Sequence, residues 1–83
     1  METKFTVDYV KNYSASLADD FQIFLDALDR FNQESSTANK ITLYKEWEYL
    51  MFAIKGSLVV DVIRDDFAYD FCKHIGGLVH DKL

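Results

Sequence analysis

The chain has 83 residues, a formal net charge of −5, 49% apolar residues and 16% aromatics, with no proline and a single cysteine, Cys72. That length holds one domain, 1–83, and a lone cysteine excludes an intrachain disulfide as its staple. The negative balance excludes general affinity for nucleic-acid phosphates or an anionic lipid surface, both of which are held by Lys and Arg.

The N-terminal residues 1–8 carry acidic side chains where a secretory leader has a basic patch followed by an apolar stretch. One free thiol fits a reducing compartment. The longest apolar run, 50–54 with Tyr49 ahead of it, is far below the roughly 18 residues that a membrane span requires. A soluble, cytoplasmic protein is expected.

In chain order, the first periodic segment covers about 7–31. Val10, Tyr13, Leu17, Phe21, Phe24, Leu28 and Phe31 recur in steps of three and four, the spacing of one helix face. Asp19, Asp20, Asp26, Asp29 and Arg30 fall largely off that stripe, with Asp26 and Arg30 in the favourable acid-first order. Thr6 is a candidate cap for a helix beginning at Val7, and Ser14 or Ser16 for one beginning later. One long helix and two pieces broken near Ser14 both fit.

Residues 32–40 are polar and small, and read as the linker. Beyond it, Leu43, Trp47, Leu50, Ile54 and Leu58 give a second stripe, with Thr42 as its candidate cap. Val60, Ile63, Phe67, Phe71, Ile75 and Leu78 give a third. Gly56-Ser57 is the expected break between them, and Gly76-Gly77 the expected end of the last helix. A β-hairpin over 49–63 is the rival reading, because the second half of that stretch is rich in β-branched residues. Neither half alternates apolar with polar, so such strands need cover on both faces, which so short a chain scarcely supplies. The expected fold is all-α: two or three antiparallel helices, completed as a bundle by self-association. An α+β fold with that hairpin is the alternative.

Candidate chemistry is sparse. Asp66, Asp70 and His74 stand four apart and share a helix face, an arrangement able to bind a divalent transition metal. They also flank the Phe67–Phe71–Ile75 stripe, where solvated boundary residues belong, and no metal is expected. Cys72 with His74 or His80 invites a thiolate reading. Residues two apart on a helix point in different directions, however, and a buried free cysteine is usually an inert hydrophobe. The adjacent carboxylates Asp19-Asp20 and Asp65-Asp66 diverge on a helix instead of facing each other across a cleft. No phosphate loop, zinc-ligand spacing or nucleophile elbow occurs.

What remains is a surplus of large apolar side chains. A domain of this size has too little interior for so many rings, so some should lie on a face that another chain covers. Tyr44, Trp47, Met51 and Phe52 are the expected partner-binding residues, since Trp and Tyr commonly become interface hot spots. The expected function is non-catalytic: a small acidic regulator, adaptor or inhibitor that binds a larger protein and forms homo-oligomers. No cofactor, small-molecule substrate, membrane or direct nucleic-acid partner is expected. Two other readings are an acidic nucleic-acid mimic that inhibits a DNA- or RNA-binding enzyme, and a small metal-binding helical bundle.

Overall fold

The computed structural model describes residues 4–83. Residues 1–3, part of the N-terminal stretch compared above with a secretory leader, lie outside the described residues. Four helices follow one another: α1 (Val7–Lys11), α2 (Ala15–Gln33), α3 (Thr37–Val59) and α4 (Asp65–Val79). The fold is all-α, with three long helices and the short α1 in place of the expected two or three.

The first stripe breaks near Ser14. Thr6 accepts a hydrogen bond from the Tyr9 N–H, and Ser14 accepts one from the Leu17 N–H, so each serves as an N-cap. Two caps eight residues apart divide the stripe into α1 and α2. Ser16, the other candidate, lies inside α2. Asp26 accepts from the Gln22 side chain at 3.0 Å, where an Arg30 pairing was anticipated.

The polar linker is far shorter than its composition implied. Helix α2 runs to Gln33, α3 begins at Thr37, and three residues connect them. Ser36, not Thr42, caps α3 by accepting from the Asn39 N–H at 3.1 Å. Thr42 sits inside the helix and donates to the Ala38 carbonyl. The Asn39 amide also donates back to the carbonyls of Glu34 at 2.8 Å and Arg30 at 3.4 Å. So tight a connection turns α3 antiparallel to α2.

Glycine does not interrupt the later helices. Gly56 lies within α3, while Gly76 and Gly77 lie within α4. A glycine costs a helix about 1 kcal/mol. Burying Ile54 before Gly56, and Ile75 and Val79 on either side of Gly76-Gly77, outweighs that cost. The hairpin over 49–63 is likewise overturned, because α3 is continuous to Val59. The true break comes at 60–64. Asp61 adopts φ 61°, a left-handed conformation that closes the end of α3. The N–H groups of Asp61 and Val62 donate to the carbonyls of Leu58 and Ser57, satisfying the last turn.

Two halves of one core result. Leu17, Phe21, Phe24 and Leu28 of α2 face Leu43, Leu50 and Ile54 of α3, all buried. At the other end Phe5, ahead of α1, stacks on Phe71 at 5.3 Å and meets Phe67 edge-on at 5.9 Å. Phe21 meets Phe71 edge-on at 4.9 Å and so joins α2 to this ring cluster. No polar or charged residue is buried among the described residues.

Candidate functional site

Helix α3 does not segregate apolar from polar side chains. Its core stripe accounts for Leu43, Leu50 and Ile54, yet Ile41, Tyr44, Tyr49, Phe52 and Val59 are exposed. Steps of three and four relate Ile41, Tyr44, Glu48, the adjacent pair Met51 and Phe52, Lys55 and Val59, so they run along one flank beside the core stripe. A helix with a second apolar flank has more greasy surface than one core can cover.

Of the anticipated contact residues, Phe52 is 67% exposed and Tyr44 is 48% exposed, while Trp47 and Met51 are half-buried. The Tyr44 and Trp47 rings lie 5.8 Å apart. Trp47, Glu48, Met51, Phe52 and Lys55 line a shallow, nearly apolar groove of about 290 Å³. The four anticipated residues therefore share one side of α3. The indole N–H of Trp47 is buried with no acceptor among the described residues.

Apolar ground continues in both directions. Toward the start of α3, Ile41 and Tyr44 line a groove with Thr37, Lys40 and Leu83. Toward its end, Met51, Ile54 and Leu58 form a cleft with Ala68, Tyr69 and Cys72 of α4. Ile41, Val59 and Tyr69 were missed at the level of sequence. The available signal was the abundance of large apolar residues in α3 outside the steps of its core stripe. Tyr69 carried no comparable signal, because its exposure depends on where α4 lies.

The other candidate chemistry disperses. Asp70 pairs with Lys4 at 3.8 Å, Asp66 accepts from the Phe67 N–H, and His74 stacks on Phe5 at 5.2 Å. Among the described residues no group of three or more His, Cys, Asp or Glu is placed to hold a metal ion. Cys72 lines the α3–α4 cleft, while His74 contacts the N-terminal segment, so the two address different sides of α4. Desolvation raises the Cys72 thiol above its ordinary value, which makes it a poorer nucleophile at neutral pH. Burial also raises Asp20, helped by the neighbouring Asp19 and Glu46 carboxylates. A small polar pocket of about 150 Å³ lies between Lys4, Tyr9, Tyr13 and Arg64, and there the two tyrosine hydroxyls are 3.3 Å apart. No helix among the described residues is long and apolar enough to cross a membrane.

Comparison of the chain with family models, curated proteins and solved structures finds no match.

Proposed function

We propose that the protein is a non-catalytic interaction module, a small cytoplasmic regulator, adaptor or inhibitor that docks on another protein through the apolar flank of α3. One observation carries this reading. Phe52 holds a phenyl ring 67% exposed, beside Met51 and in line with Tyr44, on a helix whose core stripe is already buried. An isolated exposed ring is ordinary, whereas a row of them along a grooved flank is the composition of a docking surface. The half-buried Trp47 and Met51 supply the floor of that surface, Glu48 and Lys55 lie on it, and Lys45 stands beside it.

The test compares the native chain with Phe52→Asp and Tyr44→Asp. Both positions are exposed, so helicity and melting temperature should hold. Binding of a hydrophobic dye should drop in each variant, and proteins captured from the host by the native chain should be lost. Dye binding and capture unchanged by both substitutions would remove the α3 flank as the docking surface.

A further inference from the structure

We propose that the α3 flank pairs with a second copy of itself, antiparallel, about a two-fold axis passing between Met51 and Phe52. This rests on the reading of the flank as a docking surface and names its occupant. A two-fold interface must be self-complementary: whatever residue i meets on the second copy, that residue must meet i in return. The flank has this property in its charge.

Charge complementarity selects the register. Glu48 and Lys55 lie on the same flank, three residues before Met51 and three after Phe52. Two helical turns separate them, about 10 Å, which is too far for a pair within one helix. The ion pairs among the described residues are Lys4–Asp70 and Lys82–Asp81, so neither Glu48 nor Lys55 is in an ion pair among them. Antiparallel pairing about the proposed axis sets each Glu48 against Lys55 of the second copy, twice over. It also brings Phe52 near Phe52 of the second copy at the axis and Tyr44 toward Val59, covering exposed apolar side chains with one another. A parallel pairing would instead place Glu48 beside Glu48 and Lys55 beside Lys55.

Asp65 of α4 lines the neighbouring cleft with Met51 and Lys55, at the edge of the contact. Glu46, the other carboxylate of α3, interacts with Asp20 of α2 on the far side of the helix. On and beside the flank Lys45 and Lys55 balance Glu48 and Asp65, although the chain as a whole carries −5. Two helix flanks make a small interface, so the expected dissociation constant is about 1–100 µM.

Sedimentation equilibrium on the full chain tests this with a charge swap. The native chain should form dimers. Glu48→Lys and Lys55→Glu should each weaken association by about tenfold, because both reciprocal pairs become repulsive. The two changes in one chain should restore it, as should mixing the two single variants, which form a heterodimer with opposite charges facing. Circular dichroism at the same melting temperature controls for folding. A native chain that stays monomeric well above 100 µM would overturn self-pairing, and retained dye binding would then leave the docking surface standing for another partner. Dimers in which the double variant is as weak as either single variant would overturn the antiparallel register. Loss of both dimers and dye binding would defeat the docking surface itself.

Discussion

Five phenylalanines, Phe5, Phe21, Phe24, Phe67 and Phe71, are buried, whereas four tyrosines, Tyr13, Tyr44, Tyr49 and Tyr69, are exposed. A phenyl ring loses nothing polar on leaving water, while a buried phenol needs a hydrogen-bond partner. Phe52 departs from that division, which is why its position carries more information than any exposed tyrosine. His74 gives a prediction at the same scale. Burial against Phe5 lowers it from its ordinary value of 6.5, so the folded chain holds it neutral where the unfolded chain would protonate it. The unfolded state binds the extra proton, so stability is present above about pH 6.5 and declines as pH falls through that value toward the lowered one. Denaturant titrations above and below about pH 6.5 should show this slope, and His74→Gln should flatten it. An unchanged slope in the variant would mean that other groups produce it.

Helix boundaries were set by hydrogen bonds and packing more than by composition. Ser36 caps α3 and so fixes the three-residue turn that makes α2 and α3 antiparallel. Ser36→Ala should cost about 1 kcal/mol in a urea titration, since it leaves the Asn39 N–H without its acceptor. Gly77 predicts the opposite sign. It lies exposed inside α4 with ordinary helical backbone, and an added Cβ would meet nothing within 4 Å. Gly77→Ala should therefore raise stability by about 0.5–1 kcal/mol, through reduced freedom of the unfolded chain. A thermal melt that falls instead would show that α4 does not persist through that pair in solution.

At the scale of the whole molecule, Phe71 joins the parts. Its ring meets Phe5 of the N-terminal segment, Phe21 of α2 and Phe67 of its own helix, all within 5.6 Å between centroids. Phe71→Ala should cost about 3–5 kcal/mol, the combined loss of transfer energy and packing around the cavity. A domain this size is stable by only about 4–12 kcal/mol, so the variant should melt far lower or be unfolded at room temperature by circular dichroism. The molecule measures 37 × 27 × 19 Å along its principal axes, and α3, about 34 Å long, spans nearly its greatest dimension. A flank on such a helix is an extended strip, suited to another helix more than to a small ligand.

The all-α class, the first stripe with Leu17, Phe21, Phe24 and Leu28 at its centre, Thr6 and Ser14 as candidate caps (with Ser16 equally open), and the aromatic cluster around Trp47 were legible in the sequence. Each depends on local spacing or on hydrogen bonds within one turn of chain. The lengths of α3 and α4, by contrast, were decided in three dimensions. Local propensity placed stops at Gly56 and Gly76-Gly77, but a glycine's cost of about 1 kcal/mol is smaller than the gain from burying Ile54, Ile75 and Val79 against neighbouring helices. The same limit applied to the candidate site. Spacing placed Tyr44, Trp47, Met51 and Phe52 on α3, but whether each ring is covered depends on where α2 and α4 pack, and that is a property of the assembled chain.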